Sequence, residues 1–441
     1  MIAAEPRTRI YRPVVRAMGQ SGLGALLSGL LSAAATKILA AVGGPAALAA
    51  LTTLQQVRQV AVVGATANGQ TALVRGASAL TGVEQTEYVR TVLCVFGAGT
   101  GTVALGMVLF PRLAVVVILS SVLVFASALL NALGAIGRLA VLSVIGSAAM
   151  LLGALPAAHA FVEGNGNALV GLLIFSSAVT CAVALGGLLG FRGQVMGWLR
   201  GPGRWWDAEA AFRFAAMSGA MLVSGLAAWG TLLAVRGHIT ALQGLAVTGQ
   251  FDAAWGLSMN QVTLVLSSLQ TYYLPELARV RGRTQRDAHI SSVLTVAALT
   301  AAVAIAAVAL LKPWLLMGFY SAAFRPAAAY LRWTLLGDYL KVTSWILSIP
   351  ILASGDMKMF LAADLAAYGV FLAVASGLTP VATAASAAAM AFVAMYAAHL
   401  LLCAVYLWRK LRFVPARNAV AAWGAGLCVV TAASALTWGQ T

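Results

Sequence analysis

Two stretches of this chain carry side chains that hydrocarbon does not tolerate. In LTTLQQVRQV, Gln55, Arg58 and Gln59 stand at i, i+3 and i+4, one polar stripe on an otherwise apolar helix. In YLRWTLLGDYLKVTSWILSIP, Asp338 and Lys341 lie three apart, on one helical face where their charges offset each other. Arg332 precedes Asp338 by six residues, about 240° around the axis and off that face. A charge near the centre of a bilayer costs on the order of 3 kcal/mol, so such groups face a cavity or a partner. Cations outnumber carboxylates in these segments, which suits capture of an anion. Arginine takes phosphate oxygens bidentately, and lysine supplies a point charge.

Depth supports a shared role. Counted from Pro45, Arg58 lies roughly 20 Å into its helix at 1.5 Å per residue, and Asp338 and Lys341 reach a similar depth from Pro326. The bland alternative for Asp338 and Lys341 is a salt bridge that only holds its helix in place. Lys37, nearer the end of its span, either meets substrate or snorkels to the interface. Asp252, in GQFDAAWG, reads as a helix N-cap or as a charge-modulating group. Gln261, with Asn260 and Gln270, lines a cavity or bonds neighbouring helices. Asp364, six residues after Lys358, reads as a structural ion pair or an inner-gate contact. His399 reads as a hydrogen-bonded packing residue rather than a proton relay.

The elements that position these groups are membrane helices. The chain of 441 residues is 61% hydrophobic and only 9% charged, against about 25% charge in soluble domains. Apolar runs long enough for ~30 Å of hydrocarbon recur along its length. They fall at 17–43, 46–74, 89–110, 113–136, 139–161, 167–191, 211–235, 251–275, 290–316, 327–354, 359–379 and 383–408, with a further run at 418–438. The fold class expected is all-α, a polytopic membrane protein of two six-helix lobes around a central cavity plus an extra C-terminal span. The lobes are 1–191 and 211–412, joined by a cytoplasmic linker at 192–210 and followed by the additional helix in 413–441.

The net charge of +16 does not indicate nucleic acid, because the basic residues gather in alternate loops. Most of the 28 lysines and arginines fall on one side, which places the N-terminus in the cytoplasm; Arg90 is assigned to an inner loop or helix end, and Arg236 and Lys312 to the outer side. The first apolar run is too long for a cleaved signal and reads as a retained span. Cys94, Cys181, Cys403 and Cys428 have no metal-ligand spacing and read as packing residues. A weak internal echo links GGPAALAALTTLQQV with GLAVTGQFDAAWGLSMNQV, as in transporters built from repeats.

KILAAVGGPAALAAL running into LQQVRQV, then TGQFDAAWGLSMNQVTLVLSSLQTYYLPELARV and FRPAAAYLRWTLLGDYLKV, carry a family likeness. The chain resembles the Wzx-type oligosaccharide-lipid translocases of the multidrug, oligosaccharidyl-lipid and polysaccharide exporter (MOP) superfamily, most of all the branch handling enterobacterial common antigen lipid. The resemblance implies alternating access in the bacterial inner membrane and a polyprenyl-diphosphate-linked glycan as substrate. It implies no cofactor beyond proton or sodium coupling, with membrane lipids, a polysaccharide polymerase and a chain-length regulator as partners. Arg58 and Lys341 then attract the diphosphate and Asp338 modulates their charge, while Trp255, Tyr272, Tyr273 and Trp333 either stack on sugars or anchor at the interface. A multidrug antiporter is the alternative within the superfamily, although cationic drugs call for carboxylates. A membrane glycosyltransferase or polymerase is a third, disfavoured by short outer connections and the lack of paired carboxylates.

Overall fold

The computed structural model describes the backbone of residues 8–279 and 282–437. It places the side chains of 23–259 and 282–437, with those of Val262, Leu266, Tyr273 and Leu277. Among these residues the chain forms fourteen α-helices and is all-α, the class expected from its composition. Eleven are long and apolar enough to cross a membrane. In order they are α1 (Thr8–Val42), α2 (Gly44–Ala65), α3 (Gln70–Ala79), α4 (Gly82–Gly106), α5 (Pro111–Ala132), α6 (Ile136–Val162), α7 (Ala168–Leu189) and α8 (Arg192–Arg200). After these come α9 (Ala208–Arg279), α10 (Arg283–Phe319), α11 (Ala327–Ala353), α12 (Met357–Gly377), α13 (Ala384–Lys410) and α14 (Arg417–Leu436).

The chain divides into two compact units. One takes in residues up to Gly43 and Thr53–Leu226; the other takes in Gly44–Thr52 and everything from Ala227 onward. In the first, α6 packs along α1 and α7, and α7 along α5. In the second, α13 lies against both α11 and α12, and α14 lies along α10. The terminal helix is tied in by polar contacts: Tyr339 donates to the Trp423 carbonyl at 2.7 Å, and the Trp423 indole donates to Thr343 at 3.2 Å.

Two expectations about the spans need correction. The run 46–74 is not one helix, because Ala67 and Asn68 take positive φ of 50° and 49° and separate α2 from α3. The break is held in place by the Asn68 side-chain amide, which donates to the Met221 carbonyl at 2.7 Å, and the Phe214 ring fills the space where a Cβ on Gly69 would sit. At 22 residues α2 still spans about 33 Å, and its glutamines and Arg58 are what lower its hydropathy.

The second correction concerns RGHITALQGLAVTGQ, expected as a loop between two spans. The backbone is helical on both sides of a single residue, Gly244, whose φ of 83° only glycine adopts without strain. Arg236 pairs with Asp252, and Thr240 with Thr248 at 2.8 Å. In a straight helix Arg236 and Asp252 would stand about 24 Å apart. Their contact requires the chain to double back at Gly244, so α9 is a hairpin of two arms, 208–243 and 245–279. The paired residues lie symmetrically about the turn.

A third feature concerns the segment after α8. Arg90, assigned to an inner loop or helix end, is buried at 2% exposure near the start of α4 and donates to the carbonyls of Trp198, Gly201 and Gly203 at 2.8, 2.6 and 2.8 Å. One guanidinium therefore satisfies the end of α8 and the non-helical residues after it, carbonyls that have no partner within the helix. Its plane also lies 5.0 Å from the Trp205 ring.

Candidate functional site

In the first unit, Gln55 and Arg58 line a cleft of about 540 Å³. The rest of its polar wall is the Gln70 amide from α3 and a set of hydroxyls: Ser28 and Ser32 from α1, Ser127 from α5, Ser143 and Ser147 from α6, and Ser176, Ser177 and Thr180 from α7. Helical geometry explains the convergence, since Ser28 with Ser32, Ser143 with Ser147, and Ser176 with Thr180 are each four apart. Ser147 binds Ser28 at 2.7 Å and Ser32 at 3.0 Å across the α1–α6 contact. Gly146 permits the approach of α7, because a Cβ there would meet Thr180 Oγ1 at 3.0 Å.

Arg58 is half-buried, and its Nε has no hydrogen-bond partner among the described residues. A buried guanidinium N–H without an acceptor forfeits on the order of 1–3 kcal/mol, more for a charged group, which an incoming oxyanion would return. Serine and threonine hydroxyls both donate and accept, as sugar hydroxyls do. The volume falls within the ~300–1,000 Å³ usual for small-molecule sites. Gln59 and Lys37, both half-buried, are not among the residues that line this cleft. The i, i+3 half of the predicted stripe is thus in the cleft and the i+4 residue is not. The serine pairs went unremarked in the sequence, although their four-residue spacing was visible there.

The second unit holds the other predicted residues in three groups. Asp338 is fully buried on α11 and accepts from Ser258 Oγ at 2.7 Å. Lys341 Nζ lies 3.1 Å from Met259 Sδ and 5.6 Å from the centre of the Tyr396 ring. Arg332 stacks on Trp333 with 5.8 Å between guanidinium carbon and ring centre. Gln261, Asn260, Gln270 and Tyr272 lie outside the residues whose side chains are described. Trp255 is half-buried and packs against Phe251, Phe371 and Phe392 at centroid distances of 5.7, 6.3 and 4.8 Å. Tyr273 is likewise core, its hydroxyl donating to the Ile346 carbonyl at 3.3 Å.

The second group corrects Asp252. It does not cap a helix start; it sits inside the second arm of the hairpin, 4% exposed, and accepts from Arg236 and from Thr52 Oγ1. Arg236, expected on the outer side, is the buried partner, also 4% exposed. Lys312, expected there too, is buried and donates to the Thr437 carbonyl at 2.8 Å.

The third group joins Asp364 and His399. Asp364 on α12 lies 3.4 Å from His399 Nε2 on α13. Cys403, one turn further along α13, brings its sulfur within 3.9 Å of the same ring.

No family model matches the chain. Over 253 residues it is 24% identical to the Lipid III flippase of Escherichia coli (strain K12), a stretch covering 56% of this chain and 59% of that relative. The Lipid III flippase of Shigella flexneri matches to the same extent. Among solved structures, the Lipid II flippase MurJ in an inward closed conformation superposes with a TM-score of 0.68 at 12% identity, covering 93% of this chain and 91% of MurJ. An outward-facing multidrug resistance MATE family transporter of the MOP superfamily gives 0.59 at 15% identity, covering 95% and 96%. A MOP superfamily transporter from Pyrococcus furiosus gives 0.57 at 15% identity with the same coverage. The chain therefore has the transporter fold shared by MurJ and the MATE proteins, and its candidate spans make it a multi-pass membrane protein.

Proposed function

We propose that this protein is a flippase that moves a polyprenyl-diphosphate-linked oligosaccharide from the cytoplasmic to the periplasmic leaflet of the bacterial inner membrane by alternating access. Its product would feed the polymerase and chain-length regulator of a surface polysaccharide, and its N-terminus is cytoplasmic. The observation that carries the reading is the Arg58 cleft. A cation with an unclaimed N–H, set in a wall of hydroxyls, suits a ligand that joins phosphate to sugar. The likeness to lipid III flippases and to the fold of MurJ points the same way.

Lys341 and Asp338, in the second unit, would adjust the charge that the headgroup meets, with Arg332, Lys37, Gln55, Gln59 and Gln261 as further contacts. Coupling to an ion would involve Asp338, Asp252 or Asp364. A drug exporter for cationic compounds calls for a carboxylate where Arg58 stands, so the two readings separate by charge. The test is complementation of a strain lacking its own surface-polysaccharide flippase. Wild type should restore the polysaccharide, Arg58→Ala should reduce it at least tenfold, and Arg58→Lys should recover part of it. Normal export by Arg58→Ala at equal protein level would sink the reading, and drug resistance without export would replace it with the antiporter.

A further inference from the structure

In the second unit a crevice opens where α10 and α14 begin. It encloses about 280 Å³ between Ser291, Ser292, Thr295 and Val296 of α10 and Ala416 and Asn418 at the start of α14. Ser291 is 5% exposed, and its oxygen accepts from the Ala416 N–H at 3.1 Å, which leaves its own O–H to donate. Asn418 Oδ1 accepts from the Ala419 N–H at 2.9 Å, which leaves the amide NH₂ to donate. The Thr295 hydroxyl is committed to the Ser291 carbonyl at 2.9 Å, and Ser292 is exposed. Among the described residues no carboxylate lines the crevice, so what it offers a ligand is mainly donors.

Cations gather around it. Arg283 and Arg286 brace the connection before α14, donating to the carbonyls of Arg412 and Leu411, the latter at 2.7 Å. Asp287 balances both, at 3.6 and 3.0 Å. Arg412 and Arg417, on either side of Ala416, are exposed, and among the described residues no acceptor holds either guanidinium. Arg409 and Lys410, at the end of α13, are exposed as well. On the bilayer side the surface changes character. Ser292, Val296, Leu299 and Val303 recur at spacings of four, three and four, one face of α10, and the last three are 58%, 46% and 71% exposed. Val420 of α14 is 50% exposed. An anion in the crevice would therefore stand at the head of an apolar stripe that runs into the hydrocarbon.

We propose that this crevice binds the phosphodiester headgroup of an anionic phospholipid, with Ser291, Asn418 and Arg417 donating to the phosphate and an acyl chain lying along the stripe of α10. Arginine fits phosphate oxygens bidentately, and basic pockets between spans at the cytoplasmic side suit anionic headgroups. The charge placement in the sequence assigns this end of the helices to that side. The volume lies at the lower edge of the ~300–1,000 Å³ of small-molecule sites, enough for a headgroup and too little for a whole lipid. The exposed stripe decides for a lipid over a soluble phosphate, which has no use for apolar surface. Bound there, the headgroup would bridge α10 and the start of α14 and fasten the terminal helix to its neighbour. The site does not depend on what the protein transports.

The full-length protein, purified in detergent and stripped of lipid, is given phosphatidylglycerol or phosphatidylcholine, and the bound lipid is counted by native mass spectrometry. The expected result is saturable retention of phosphatidylglycerol over phosphatidylcholine, with affinity falling at least about tenfold in Arg417→Glu and in Ser292→Asp. Both positions are exposed, so the variants should fold, and Arg417→Lys, which keeps the charge, should retain most of the binding. Arg75→Glu, at an exposed cation of α3 in the first unit, should bind as wild type does. Equal retention of the two lipids by wild type overturns the proposal, and so does wild-type affinity in both Arg417→Glu and Ser292→Asp. An equal loss in Arg75→Glu would mean diffuse charge attraction and overturns it too. Displacement of phosphatidylglycerol by inorganic phosphate, but not by chloride at the same ionic strength, would give the crevice to a soluble anion and overturn the lipid assignment.

Discussion

Removing the carboxylate of Asp252 leaves Arg236 charged, 4% exposed, and deprived of the group that neutralises it. Breaking a buried pair from one side costs about 3–5 kcal/mol, because the surviving ion cannot return to water without opening the structure. For a body of 150–250 residues each kcal/mol moves the melting temperature by about 2–4 °C, so Asp252→Ala should lower it by roughly 10 °C or more. Arg236→Met should cost a similar amount for the mirror-image reason. The pair itself contributes little beyond what apolar packing would, so the double variant Arg236→Met/Asp252→Leu should regain most of the loss. Thr52→Val, which removes one hydrogen bond to the carboxylate and leaves the pair intact, should cost only about 1.5–3 kcal/mol. The assay is thermal unfolding in a mild detergent, followed by reaction of the buried cysteines Cys181 and Cys403 with a thiol dye. Single variants that melt within 2 °C of wild type would refute the reasoning, and so would a double variant as unstable as the sum of the singles.

Three further outcomes follow from the geometry. Arg90→Ala strips the acceptors Trp198, Gly201 and Gly203 of their shared donor, so limited proteolysis should cut within 192–207 at least tenfold faster than in wild type, with melting changed less than cutting. Gly337→Ala places a methyl group into the Phe392 ring at the α11–α13 contact and should destabilise by about 1–3 kcal/mol, whereas Gly101→Ala, with open space around it, should be neutral. Asp356 caps α12 through Met359 N at 3.0 Å and accepts from Tyr406 at 2.8 Å, and these bonds hold its pKa below the usual carboxylate value. A depressed carboxylate contributes stability above its unfolded pKa of about 3.9 and loses it as pH falls through the folded value. Melting curves of wild type should therefore decline more steeply than those of Asp356→Asn below about pH 4, and parallel curves would count against the cap.

What the sequence disclosed was set by locality. Gln55 and Arg58 are three apart on one helix, and that spacing alone brings both to the cleft. Asp252 was misread because its partner lies sixteen positions back across Gly244; the residues between them looked like an outer loop followed by a capping acid, a reading that local rules favour. The Asp364–His399 contact was hidden for a related reason: it runs through the α12–α13 packing, which no periodicity in either helix announces. Arg90 looked like one more cation at an inner loop or helix end, because charge counting does not register carbonyls that need a donor. The serines of the cleft are an intermediate case. Their i, i+4 repeats were plain, yet single hydroxyls in apolar helices are commonplace, and only the meeting of α1, α5, α6 and α7 makes them a wall.

The reversal at Gly244 bears on how this region enters the bilayer. Arg236 and Asp252 each lie eight residues from the turn, which sets them about 12 Å down their arms. Threaded singly, either arm would carry a charge whose insertion at mid-membrane costs about 2.5–3.5 kcal/mol. Delivered together as a closed hairpin, the arms bring opposite charges already in contact, and the lipid meets a neutral unit. For these two segments assembly and insertion become a single event, with the glycine as the point where the nascent chain commits to it.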